Sequence, residues 1–146
     1  IEAKDFVLGP FVSALAFNEI AVEAIVPPAK GKALGGYLKL ERRVGDFATA
    51  SVAVALDMDG DTVTRAGCAM AGVGGRTIDA NEAISVLQGK TLSSENIDSA
   101  AAAVAAASDP RTDHRGSADY KRHIVETFVK RVLVSVAKSE KKEAVA

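Results

Sequence analysis

The sequence predicts an α+β domain: a three-stranded antiparallel sheet packed with three helices, preceded by a strand-containing tail. Three observations carry this. Apolar residues alternate with period two in GYLKLERR and again in ATASVAVALDM. Asp59-Gly60 then marks a tight hairpin, because both residues tolerate the positive φ that such a turn needs. Beyond Asp79 the apolar spacing lengthens to that of helices. One layer of helices on one face of a sheet is the α+β arrangement, and 146 residues suit a single domain.

The first residues read as a short strand-like start broken by a Gly9-Pro10 turn signal. Ile20, Val22, Ala24 and Val26 then share one face of an expected strand of about seven residues. Pro27-Pro28 ends it, since proline cannot donate to a sheet ladder. AKGKALGG reads as a flexible link, so residues 1–28 form one unit, 29–36 a linker and 37–138 the main domain, with 139–146 a frayed polar tail.

Within the main domain, Tyr37, Lys39 and Glu41 fall on one side of the first strand and Leu38, Leu40 and Arg42 on the other. ATASVAVALDM is too apolar to be fully exposed, and TVTRAGCAMAGV is its return strand. Asp79 with Glu82 resembles a capping box for ANEAISVLQ, and Gly89 is its stop. Ser93 or Ser94 caps a second helix, whose alanines permit close packing, and Asp109-Pro110 ends it. Ser117 caps the longest helix. There Ile124, Val125, Phe128, Val129, Val132, Leu133 and Val136 form one broad apolar stripe.

Composition excludes several classes. The net charge of −1 carries no excess that would draw the chain to nucleic acid or an anionic membrane. No apolar run is long enough to span a bilayer, and the start lacks the basic and apolar regions of a signal peptide. A single cysteine, Cys68, rules out an internal disulfide framework, which makes a cytoplasmic setting the default. The absence of methionine at position 1 fits a processed protein or a fragment.

Little in the chain is self-sufficient chemistry. GVGGR (72–76) places Gly72 and Gly74 as in a dinucleotide fingerprint, but Thr77 replaces the third glycine. The preceding strand also belongs to a hairpin rather than a βαβ unit. His114, His123 and Cys68 lack metal-ligand spacing. No catalytic set emerges. Two charged clusters remain: LERRVGDFA, and DHRGSADYKRH at residues 113–123. LERRVGDFA reads as an edge-strand exit whose charges guard against aggregation, or as a turn or bulge at Gly45; the second reads as a capped, solvated helix entrance with weak charge pairs or as a docking patch.

Three passages resemble one family in order. DFVLGPFVSALAFNEIAVEAIVP, YLKLERRVGDFATASVAVAL and DHRGSADYKRHIVETFVKR are similar to the C-terminal part of the FAD-binding (medium) subunit of molybdenum hydroxylases, carbon monoxide dehydrogenase type. The resemblance implies that residues 1–28 are the end of an FAD-binding domain and that 37–138 are the C-terminal domain. It implies a molybdenum-cofactor large subunit and a small subunit with 2Fe-2S clusters as partners, electrons passing through those clusters to FAD.

It also implies roles for single positions. Ala21 follows the Glu19-Ile20 pair at which the family's chain passes the flavin ring. The family's lysine beside the flavin corresponds to Leu38, with Lys39 adjacent. Arg42 and Asp46 match its charged segment near the flavin, and with Arg43 they are expected to form a mutually paired corner. Arg43, Arg115, Tyr120 and Arg122 are the expected contacts to partner chains. The glycine-rich loops that hold the FAD pyrophosphate have no counterpart in this chain, so FAD is expected to be held mainly by the N-terminal FAD-binding part of the subunit. Residues 1–28 are then expected to complete that part. The competing expectations are a non-catalytic α+β interaction module, docking by its sheet edge or residues 113–123, and a nucleotide binder using Gly72–Gly75.

Overall fold

A computed structural model of the chain describes residues 1–28 and 31–143, with side chains described as far as residue 139. The α+β class holds, with a sheet of four antiparallel strands: β3 (Lys32–Leu40), β4 (Ala50–Asp59), β5 (Thr62–Ala71) and β6 (Ile78–Asp79), in that order. The fourth strand is the two-residue β6, paired through Ala69 and Met70. It is too short to show a period, so the sequence predicts only three.

In front of the sheet lie a short helix, α1 (Ala3–Phe6), and a small hairpin of β1 (Val7–Gly9) and β2 (Val12–Ser13). The Gly9-Pro10 turn signal thus marks a real reversal. Residues 20–26 form no strand, which corrects that expectation: Ile20, Val22, Ile25 and Val26 are all exposed and irregular. Alternation encodes two faces but supplies no neighbour, and an unpaired strand leaves its backbone groups to water.

The flexible-link reading of 29–36 also fails over 32–36, where every residue pairs with β4, from Lys32↔Met58 to Gly36↔Val54. Residues 29 and 30 lie outside the described residues. Gly35 and Gly36 permit close approach here rather than flexibility: a β-carbon at Gly35 would collide with the Val54 carbonyl oxygen.

Helices cover one face of this sheet. α2 (Asn81–Ile84) runs into a 3-10 turn at Ser85–Leu87, followed by α3 (Ser94–Ala106) and α4 (Ala118–Glu143). Ser93 caps α3 by accepting from Asn96 N at 3.2 Å, and Ser117 Oγ accepts from Tyr120 N at 3.1 Å. The capping-box expectation is corrected: Asp79 ends β6, and its Oδ1 accepts from Asn81 N at 2.9 Å. The polar tail is likewise shorter than expected, because α4 continues to Glu143; its Lys and Glu residues are good helix formers. Residues 144–146 lie outside the described residues.

The core sits between the two layers. Ala50, Val52, Val54, Leu56 and Met58 alternate inward from β4, against Ile97, Ala100, Ala101 and Val104 of α3 and Val125, Val129, Val132 and Leu133 of α4. Each fully buried Val or Leu contributes about 1.5–3 kcal/mol. The opposite sheet face carries no long helix and has small residues at its centre. Ala53, Ala55, Gly67 and Ala69 line a cleft of about 380 Å³ there, with Val7 and Asn81. No helix among the described residues is long and apolar enough to cross a membrane.

Candidate functional site

The corner between β3 and β4 is where the sequence-predicted residues converge. Thr49 N donates to Leu40 O at 2.7 Å and closes the base of a loop, residues 41–48. Gly45 turns the loop with φ +86°, a left-handed conformation that favours glycine, and Asp46 N donates to Arg43 O at 3.1 Å.

Asp46 is the hub of this loop. Its Oδ1 accepts from Phe47 N and from Arg115 Nη2, both at 2.8 Å. Its Oδ2 accepts from Arg42 Nε at 3.1 Å. The Asp46 and Arg115 side chains are 12% and 16% exposed, against 56% for Arg42, so the Arg115 pair is the more shielded one. Arg115, then the Phe47 amide, hold the Asp46 carboxyl below its ordinary pKa of 3.8. The Arg115 guanidinium also lies 5.9 Å from the centroid of the Phe47 ring, a cation–π distance.

Lys39 is tied to the same hub. Its ammonium donates to the Asp46 main-chain oxygen at 2.8 Å and pairs with the Glu41 carboxylate. Glu41 is the main cause of its raised pKa. Leu38 faces the other way and packs against the helical core, so adjacent positions of β3 serve opposite faces. Ala21 stands exposed in the irregular segment that precedes β3.

Arg115 is presented by a tight turn. Asp113 and Gly116 exchange two backbone hydrogen bonds, each 3.1 Å, and Arg115 N donates to Asp113 Oδ1 at 2.8 Å. Gly116 has φ +147°, and a β-carbon on it would meet the Tyr120 ring at 2.8 Å. The turn is anchored by Lys121, whose side chain is 3% exposed: its ammonium pairs with Asp113 Oδ2 at 2.7 Å and donates to Arg111 O at 2.9 Å. Lys121 is the main cause of the depressed Asp113 pKa.

The structure therefore joins residues that the sequence assigns to separate roles. Arg115 directs its guanidinium inward to Asp46, 69 residues away. Arg42 joins the pairing, whereas Arg43 contributes its carbonyl and keeps an exposed side chain. Arg122 pairs with Asp119 at 3.2 Å on the surface, and Tyr120 is exposed. Sequence reasoning misses the buried anchor Lys121, for which a charged residue in a helix gives no cue. It also misses the Asp57–Arg65 ion pair of 2.7 Å across the β4–β5 hairpin, because counting outward from Asp59-Gly60 sets Asp57 opposite Thr64 and a register shift between Asp57 and Met58 brings Arg65 there instead. The glycine run 72–75 joins β5 to β6, two antiparallel strands, and does not enter a helix directly. The strand–loop–helix geometry of a phosphate cradle is absent there.

Residues 36–136 match the family described as the CO dehydrogenase flavoprotein C-terminal domain. The carbon monoxide dehydrogenase medium chain of Hydrogenophaga pseudoflava is 36% identical over 133 residues, 91% of this chain and 46% of that one. The glyceraldehyde dehydrogenase medium chain of Sulfolobus acidocaldarius is 32% identical over 137 residues, 94% of this chain and 48% of that one. Among solved structures, a carbon monoxide dehydrogenase from Hydrogenophaga pseudoflava, lacking the Mo-pyranopterin moiety of its cofactor, superimposes with a TM-score of 0.84. It is 35% identical and covers 93% of this chain and 47% of that one. The chain thus spans about half the length of the relatives it matches.

Proposed function

The chain belongs to the family of CO dehydrogenase flavoprotein C-terminal domains, and from that premise we propose that it is part of the flavoprotein subunit of a molybdenum, iron–sulfur and FAD hydroxylase or dehydrogenase. In this reading it helps to close the FAD site and to dock partner subunits, so that electrons pass from 2Fe-2S clusters to FAD. The molybdenum cofactor belongs to a large subunit and the clusters to a small one. Residues 1–28 complete the N-terminal FAD-binding part of the subunit, to which their exposed Phe11, Phe17, Ile20, Val22 and Val26 offer apolar surface. The assembly works in the cytoplasm.

The observation that carries this reading is the corner in which Lys39, Arg42 and Arg115 meet Glu41 and Asp46, three cations to two carboxylates. Its donors suit the carbonyl-bearing edge of an isoalloxazine. The described residues supply no glycine-rich helix start for the pyrophosphate, so the chain contributes an edge to the site. FAD, when bound, supplies the electron storage. The excess positive charge of that corner lies where reduction builds negative charge, which favours the reduced form. Ala21 adds a wall, whereas Leu38, turned to the helical core, lies on the face of β3 opposite Lys39 and takes no part; Arg43, Tyr120 and Arg122 offer contacts to partner chains.

The test is the flavin midpoint potential of the assembled flavoprotein carrying Lys39→Met. A fall of tens of millivolts with flavin content retained supports the reading; an unmoved potential refutes it.

A further inference from the structure

Resting on the flavoprotein reading above, we propose that Arg115 is the positioning residue of the cationic corner: from the helical layer it holds Asp46, and through the Asp46 main-chain carbonyl it fixes the ammonium of Lys39.

The argument starts from the freedom of a lysine. Its four-carbon stem has many rotamers, and holding one costs side-chain entropy. Two partners hold it here. Glu41 rides on the same strand end, two residues on, whereas the Asp46 carbonyl belongs to the 41–48 loop. That loop has no ladder partners, so its shape depends on the contacts of its side chains and on the Leu40–Thr49 bond at its base.

Asp46 provides those contacts, and its two oxygens do different things. Oδ2 binds Arg42, a member of the same loop with a half-exposed side chain, so this bond moves with the loop. Oδ1 binds Arg115, which is 69 residues away and well shielded. The Arg115 bond therefore fastens the loop to the rest of the fold.

Arg115 is itself fixed. The Asp113–Gly116 turn sets its backbone, and buried Lys121 pins Asp113 to α4. α4 in turn packs on β3 and β4 through Val129, Val132 and Leu133. A chain of direct contacts thus runs from Lys121 through Asp113, Arg115 and Asp46 to Lys39. Arginine suits its place because one planar group both donates to the carboxylate and lies over Phe47. A lysine there would keep the charge and lose the stacking.

The test reads the Lys39 amine directly, in the purified 146-residue chain. Reductive dimethylation under limiting reagent, followed by peptide mass spectrometry, gives the labelling rate of Lys39 relative to Lys90 and Lys138. Arg115→Gln is expected to raise the Lys39 ratio several-fold, since an ammonium released from the Asp46 carbonyl is open to reagent for more of the time. Asp46→Asn is expected to give the same rise, the double variant no more, and Arg115→Lys less. A general loosening of the fold would also open the buried Lys121 amine, so Lys121 labelling that rises in step with Lys39 overturns the proposal. An unmoved ratio in Arg115→Gln and Asp46→Asn overturns the proposal, as does a double variant whose rise is the product of the two. If Arg115→Gln fails to fold, Arg115→Lys and Asp46→Asn carry the same comparison. The labelling needs no flavin, so it is decided separately from the potential measurement that tests the parent reading.

Discussion

Gly36 of β3 faces Val132 of α4 so closely that a β-carbon on Gly36 would lie 3.2 Å from Val132 Cγ1. Its neighbour Gly35 faces the other way, against the Val54 main chain. A side chain can yield where a backbone cannot. Gly35→Ala is therefore expected to destabilise the domain by about 1–3 kcal/mol, more than Gly36→Ala does. Combining Gly36→Ala with Val132→Ala is expected to return what the single glycine change loses to crowding. Denaturant titration of the three variants, with Val132→Ala alone as the control, checks the order.

Asp46 and Asp113 hold depressed pKa values, the first chiefly through Arg115 and the second chiefly through Lys121. Both groups bind protons more readily unfolded than folded. Their stabilisation is fully present above the unfolded carboxylate value of about 3.9 and is lost as pH falls through the depressed folded values. The melting midpoint should thus drop below about pH 4, and Asp46→Asn with Asp113→Asn should flatten that drop. Lys39 and Lys130 carry raised values, through Glu41 and Glu126 first. Their contribution is present below the unfolded lysine value of about 10.4 and is lost as pH rises through the raised ones.

The Lys121–Asp113 pair is unequal, one end buried and the other close to half exposed. Asp113→Asn leaves a buried ammonium without its carboxylate, with the Arg111 carbonyl as its remaining described partner. Lys121→Met leaves a carboxylate that water reaches. Asp113→Asn is expected to lower the melting midpoint by several degrees and Lys121→Met by less, an order that differential scanning calorimetry reads directly.

Burial pushes the Cys68 thiol up to about 12. Almost no thiolate exists at neutral pH, and the side chain lies in the core. Ellman's reagent should leave the folded chain unlabelled at pH 7.5 and titrate one thiol per chain in denaturant. Rapid labelling of the native protein would contradict this placement of Cys68.

Regular elements were legible where one signal repeats. Val52, Val54, Leu56 and Met58 announce β4 by alternation, and the Val125–Val136 stripe announces α4 by helical spacing, with Ser93 and Ser117 as caps. The misses have physical causes. Ile20 to Val26 alternate without a partner. Gly35 and Gly36 carry no side chain, so crowding and flexibility look the same in sequence. Ile78-Asp79 is shorter than any period. In the candidate site, Lys39, Arg42 and Asp46 could be named because they lie within one short stretch. That Arg115 completes them depends on how the helices return over the sheet, which no local pattern states.

The tie between Asp46 and Arg115 has a consequence in time. Closing 69 residues of chain is entropically expensive until β4, β5, α3 and α4 have already brought the two turns together. The contact is thus expected to form after the folding barrier is crossed, not before it. Weakening it should leave the rate of folding almost unchanged and appear as faster unfolding. Arg115 then acts as a clasp on the finished domain, and the lifetime of the native state depends on it more than the speed of reaching that state.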